Sequence, residues 1–289
     1  MNRITITIIA AILTYSAAAA QDLNRHEFSA NIGGGISGFQ FRPTIGKDFW
    51  EGTSTFGLGY HYLLDPNWSI GTGANFTAYK GSISIKNYDQ QQGAINTITG
   101  HTFDFFITSS AYEETQQAMM ITIPLTAQYQ YQFDEKMAFY VVFGFKAGIP
   151  VSGKSQSKSA FTTKGYYPNL NVTYEDLPDY GFVTNQPFPE GKTDFGLKTA
   201  IMMSTELGVK WPLGETKSLY AGIYADYGLN NILKKTTAAN TNLVCYQSDS
   251  PAQFAYNTAV NSYAKKMKPF AIGITLRFAF QLKTQYAND

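Results

Sequence analysis

The sequence predicts an all-β chain, an eight-stranded antiparallel up-and-down transmembrane β-barrel with long extracellular loops. Three observations predict it. Apolar and polar residues alternate in segment after segment, the links between segments are short and long in turn, and glycines gather on the less apolar face.

The first 20 residues stand apart. Asn2 and Arg3 give a short basic start, an apolar run follows from Ile4 to Leu13, and Ala18 and Ala20 supply small-residue cleavage positions. This is the plan of a secretory signal, with residues 1–20 removed and residues 21–289 forming one barrel domain. The run falls short of the ~20 apolar residues that a spanning helix needs.

Strands are then expected at 28–36, 56–62, 68–78, 119–133, 139–149, 197–211, 219–229 and 270–280. The last is the clearest: Phe270, Ile272, Ile274, Leu276, Phe278 and Phe280 alternate with Ala271, Gly273, Thr275, Arg277 and Ala279. A helix would place its apolar residues at i, i+3, i+4 and i+7 instead. Segments 82–86 and 103–107 can extend a hairpin outward or add a pair.

Tight links fall at 64–67, 134–136 and 212–216, and long loops at about 39–55, 80–117, 150–194 and 230–267. Short turns on one side and long loops on the other are the outer-membrane layout, which places both termini and a tail, 281–289, in the periplasm.

A β-sandwich also alternates, so alternation alone does not decide. Interior glycines do, among them Gly33, Gly57, Gly71, Gly144, Gly208, Gly222 and Gly273. They would weaken an exposed strand face, whereas inside a narrow barrel they relieve crowding. Trp68, Tyr131, Phe133, Phe139, Trp211, Phe278 and Phe280 lie beside the short turns or at the end of the final strand, where an aromatic girdle belongs.

Composition agrees. Charged residues are 15% of the chain and aromatics also 15%, few charges and many rings for a surface solvated only by water. A net charge of +1 gives no case for nucleic acid as a partner. The single cysteine, Cys245, excludes a disulfide within the chain.

Three stretches carry a family resemblance: Asn31 to Gly38, Ile121 to Leu125, and Gly273 to Phe278. They resemble the outer-membrane β-barrel proteins of Bacteroidota, described as PorT-like or OmpA/OmpX-like. The resemblance implies an eight-stranded barrel inserted by the barrel-assembly machinery, with the final strand as its recognition signal, and no particular activity. The tail beyond Phe280 and the length of the third loop depart from the pattern.

Motifs for chemistry are scarce. Gly33, Gly35 and Gly38 match G-x-G-x-x-G, but Phe39-Gln40-Phe41-Arg42-Pro43 is no helix start. Gly191-Lys192-Thr193 lacks the glycine a phosphate loop requires at position 186. The three histidines, His26, His61 and His101, have no metal-ligand spacing, so no metal or other cofactor is expected. His61 on the lumen phase, and His101 with Ser109 and Ser110, are the only raw material for a lipid-modifying enzyme.

Two constellations remain. Lys146, Lys198, Glu206, Lys210, Asp226 and Arg277 fall on the lumen phase, with Glu27 at the seam of first and last strands. Buried charges need compensation, so they predict a plug of ion pairs or, alternatively, a narrow pore for ions or small solutes. Tyr166, Tyr167, Tyr174 and Tyr180 in the third loop predict a surface that recognises an extracellular protein or glycan. The expected role is therefore non-enzymatic: a structural or surface-interaction barrel of the bacterial outer membrane, solvated by its lipid.

Overall fold

The computed structural model describes residues 25–282 except 98, 135, 190 and 235–241. The expected leader, residues 1–20, and most of the expected tail, 283–289, lie outside the described residues.

Eight strands close into a ring. They are β1 (His26–Phe39), β2 (Lys47–Leu63), β3 (Trp68–Ile95), β4 (Thr102–Asp134), β5 (Met137–Ser157), β10 (Ala200–Pro212), β11 (Lys217–Gly228) and β14 (Pro269–Gln281). Each pairs antiparallel with the next, β5 with β10 and β11 with β14 across the longer connections. The seam is β1 against β14, in continuous register from Glu27 opposite Gln281 to Phe39 opposite Pro269. Within the closed ring no edge is left open, the condition for strands to cross hydrocarbon; only beyond Ser84, above the ring, does β3 lose its β2 partner.

Alternation sets which face meets lipid. Ile32, Leu58, Leu125, Phe143, Leu207 and Ile274 point outward and are 51% to 70% exposed. A belt of such residues around the whole ring far exceeds the roughly 300–600 Å² patch a soluble monomer tolerates. Trp68, Tyr131, Phe133, Phe139, Phe278 and Phe280 are exposed by the short turns, and Phe133 stacks on Phe139. At the opposite rim Trp50, 63% exposed, meets Phe270 edge-on.

The expected loop at 80–117 is a correction. β3 and β4 run on as one hairpin, paired from Lys80 opposite Gln117 to Ile95 opposite Thr102. At ~3.4 Å per residue, the 33-residue β4 far outreaches the ~9–11 residues needed to cross. The inward phase flips partway. On β3, Ile83 and Ile85 are buried and then Tyr88; on β4, Ile107 and Ser109 are buried and then Tyr112. The flip sits at Asn87, which has φ 51°, beside Ser110 and Ala111. A broken period reads as a loop in sequence; here it is a kink in a continuous strand pair.

The expected loop at 39–55 is cut to 40–46 because β2 starts at Lys47, the one at 150–194 begins only after Ser157, and the one at 230–267 keeps its extent. The two long ones carry structure of their own. β6 (Ala160–Tyr167) pairs with the outer part of β4, and β7 (Val172–Tyr174), β8 (Gln186–Pro187) and β9 (Thr193–Asp194) add short pairings. The last connection carries the hairpin β12 (Val244–Tyr246) and β13 (Phe254–Tyr256), then a short helix α1 (Ala259–Tyr263) capped by the Thr258 hydroxyl. These pieces and the tall hairpin bury one apolar core beyond the lipid belt, with Phe105, Phe161, Phe182, Val244 and Val260 in it. The extracellular part is a folded cap.

Inside the ring, small residues make room. A Cβ at Gly222 would lie 2.4 Å from the Tyr140 hydroxyl, and one at Gly71 would lie 2.5 Å from the His61 ring. Gly222→Ala should therefore cost about 1–3 kcal/mol through overpacking. A lower urea midpoint in phospholipid vesicles checks this; an unchanged midpoint would show that the lumen has slack there.

Candidate functional site

Inward residues of the ring form two polar clusters. The lower one centres on Arg277, buried on β14. Its Nη1 donates to His61 Nε2 at 2.9 Å and its Nη2 to Gln128 Oε1 at 2.5 Å. Because a guanidinium can only donate, His61 accepts through Nε2. The Arg277 guanidinium also lies 3.9 Å from the Tyr220 ring centroid. Tyr220 donates to Glu27 at 3.0 Å, and Tyr140 donates to Glu206 at 2.6 Å. Lys210 completes the cluster, 3.2 Å from Gln130 Oε1 and 3.9 Å from Glu27.

The upper cluster is the Lys146–Asp226 pair at 2.8 Å. Above it the wholly buried Tyr79 sets its hydroxyl 3.4 Å from both Asp226 Oδ2 and Met202 Sδ, and Tyr79 belongs to the apolar core of the cap. Between the clusters lies a chamber of about 90 Å³, lined in part by Ser29, His61, Lys146, Glu206, Asp226 and Arg277.

The structure thus brings five of the six sequence-chosen charges into the lumen: Lys146, Glu206, Lys210, Asp226 and Arg277. Lys198 is a correction. β10 begins only at Ala200, and Lys198 is exposed outside the ring, its amide donating to Ile232 O. Its phase was right, but the strand does not reach it. Of the loop tyrosines, Tyr174 and Tyr180 are exposed and Tyr166 is half-buried. Tyr167 is the second correction: it is buried in the cap, stacked on Phe103 at 4.8 Å. The alternating burial of β6 points its odd-numbered residues into the core.

The histidines are dispersed. His61 is held by Arg277 in the lumen, while His101 is exposed in the turn between β3 and β4. Ser109 lies eight residues along from His101, ~26 Å of strand, and its hydroxyl is buried and donates to Ala160 O. His101 and Ser109 are too far apart to form a nucleophile–base pair.

One buried acid escaped the sequence reading. Glu114 stands in the polar run Glu113-Glu114-Thr115-Gln116-Gln117, which looks solvated. In the cap it is 2% exposed and accepts from Tyr112 at 2.5 Å, Gln116 at 2.8 Å and the Ala259 amide at 2.8 Å. It clips α1 onto β4. Burial pushes its carboxyl above the ordinary value, although the surrounding donors pull the other way.

A sequence profile of the outer membrane protein beta-barrel domain family matches residues 19–234. The chain belongs to this family. Its place is accordingly the bacterial outer membrane, with lipid around the ring. Among solved structures it is similar to the N-terminal β-barrel domain of OprF from Pseudomonas aeruginosa, at 9% identity and TM-score 0.34, covering 89% of this chain and 98% of that one. It is also similar to Neisserial surface protein A, at 10% identity and TM-score 0.36, covering 87% and 95%. A third is OprG from Pseudomonas aeruginosa, at 11% identity and TM-score 0.36, covering 91% and 100%. No curated protein matches the chain by sequence.

Two outcomes follow from the buried charges. Asp226→Leu should destabilise the barrel by about 3–5 kcal/mol by leaving Lys146 unpaired, as should Lys146→Met by leaving Asp226 unpaired, whereas the two together should be close to neutral. Unfolding midpoints of the two singles and the double would reveal the coupling, and strict additivity would refute it. For Glu114, the folded chain holds a proton that the unfolded chain releases, so cap stability falls as pH rises from about 4.5 through the raised value. Exchange protection at the Ala259 amide, corrected for intrinsic rate, should drop over that range and lose this dependence in Glu114→Gln. An equal slope in both proteins would count against it.

Proposed function

We propose that this chain is a non-enzymatic outer-membrane barrel, a structural or surface-interaction protein whose activity resides in its extracellular cap. The observation that carries the reading is the cap itself: an ordered structure with its own apolar core, raised on two strands that overshoot the membrane. A barrel that only filled a place in the bilayer would need no such superstructure.

Two features argue against the alternatives. The lumen chamber is small, and Tyr79 and the cap core lie over it, which disfavours a pore for ions or solutes. The separation of His101 from Ser109 and the engagement of His61 by Arg277 disfavour a lipid-modifying enzyme. Within the family, the motifs at 31–38, 121–125 and 273–278 favour the PorT-like or OmpA/OmpX-like kind found in Bacteroidota. On that reading the final strand addresses the chain to the barrel-assembly machinery.

The reading is tested in two ways. The purified barrel in planar bilayers should give no discrete openings at high protein load, and its expression should leave the lipid A and phospholipid profiles unchanged. Cells displaying the full chain should bind surfaces coated with extracellular proteins or glycans, and should lose this when residues 160–194 are replaced by a short Gly/Ser linker. Steady conductance steps, or a lipid change abolished by His61→Ala, would overturn it. So would equal adhesion with and without the segment.

A further inference from the structure

Where the cap is tallest, two elements meet around a pocket of about 300 Å³. One is the turn between β3 and β4, which supplies Asn96, Thr99 and His101; the other is the segment after β6, which supplies Tyr174, Tyr180 and Phe182. Buried Tyr167 and Phe182 make the floor, and exposed Tyr174 stands edge-on to Tyr167 at 5.4 Å.

The aromatic wall is fixed in place. Pro178 starts a 3-10 turn over Pro178–Tyr180, and Gly181 ends it at φ 82°, where a Cβ would lie 2.5 Å from Pro251 O. The Thr163 hydroxyl donates to Gly181 O at 2.7 Å and accepts from the Val183 amide at 2.9 Å, tying the segment to β6. The polar wall is fixed as well. Gly100 N donates to Asn96 O at 2.8 Å, and the Thr97 hydroxyl donates to Ser248 O at 2.9 Å.

Among the described residues that line the pocket there is no Lys, Arg, Asp or Glu, so a charged ligand would find no counter-ion there. The lining is two-sided instead: rings with Leu170 and Leu177 form the apolar side, and the Thr99 hydroxyl and His101 imidazole the polar one, where the Asn96 amide is taken up by Tyr167 and Thr99. A hexopyranose has the matching form: an apolar C–H face to lie on an aromatic ring and an equatorial edge of hydroxyls. The volume stands at the small end of the ~300–1,000 Å³ usual for ligand pockets, suited to one ring rather than a chain.

We infer that this pocket binds a single neutral hexopyranose unit of an extracellular glycan, stacked on Tyr174 and Tyr180 and hydrogen-bonded by Thr99 and His101. The inference rests on the surface-interaction reading and names its ligand class.

The test uses the full barrel in lipid nanodiscs, because glycoside detergents would compete for the site. Methyl glycosides of glucose, galactose, mannose and N-acetylglucosamine are titrated, and saturation transfer from protein to sugar ring protons is followed. At least one should bind, with affinity about tenfold weaker in Tyr174→Ala or Tyr180→Ala and retained in Tyr180→Phe, which keeps the ring. Absence of binding by all four sugars would overturn the inference, as would binding indifferent to both alanine variants. If adhesion is lost on replacing 160–194 but survives Tyr174→Ala with Tyr180→Ala, the sugar pocket fails and the surface role stands. If adhesion survives the replacement as well, the surface role itself fails.

Discussion

Closure of β1 on β14 is the constraint on which everything else depends. Hydrocarbon offers no partner to a backbone amide, so a sheet can cross it only as a closed ring. Closing eight strands fixes a narrow bore, in which inward side chains must fill the space without clashing. Gly71 and Gly222 yield to His61 and Tyr140, and those two larger groups in turn hold Arg277 and Glu206. The lumen glycines and the lumen charges are therefore two sides of one packing solution. Neither would be stable in a wide barrel, where water would take the place of both.

The same strands obey a different rule once they leave the lipid. Along β4 the inward residues Gln128, Thr126 and Thr122 are polar where the outer face meets hydrocarbon. Farther out on the same face come the buried Met120, Ala118 and Tyr112, with Gln116 and the hydrogen-bonded Glu114 between them. Outside the membrane water solvates the exterior, so the hydrophobic effect moves the apolar residues to the inside. The inversion from apolar-out to apolar-in marks the outer edge of the bilayer without reference to any lipid molecule.

This inversion also explains what the sequence could and could not disclose. Within the belt a single rule holds, and segments such as 139–149 and 270–280 reveal strand, face and girdle directly. Beyond it the period is broken at Asn87 and Ser110, and the cap core is assembled from residues far apart in the chain, such as Phe105, Phe161 and Val260. No local pattern records such contacts. Lys198 shows the limit from another side, since phase predicts a direction only for a residue that the strand reaches. Glu114 shows it again: nothing in a run of Glu, Thr and Gln signals that one carboxylate will cap a helix from a distant connection.

Lumen and cap are packed against one another. Tyr79 packs in the cap core while its hydroxyl reaches Asp226, which is held by Lys146. Motion of the cap relative to the barrel would have to break a buried contact with a charged group, among the costlier contacts to lose. Under the proposed surface role, groups at the tip of the cap stand on strands that continue down into the barrel. Binding there forfeits little ordering entropy, which is how a site of few residues gains affinity. In that proposed role the packed lumen serves recognition by bracing the cap from below.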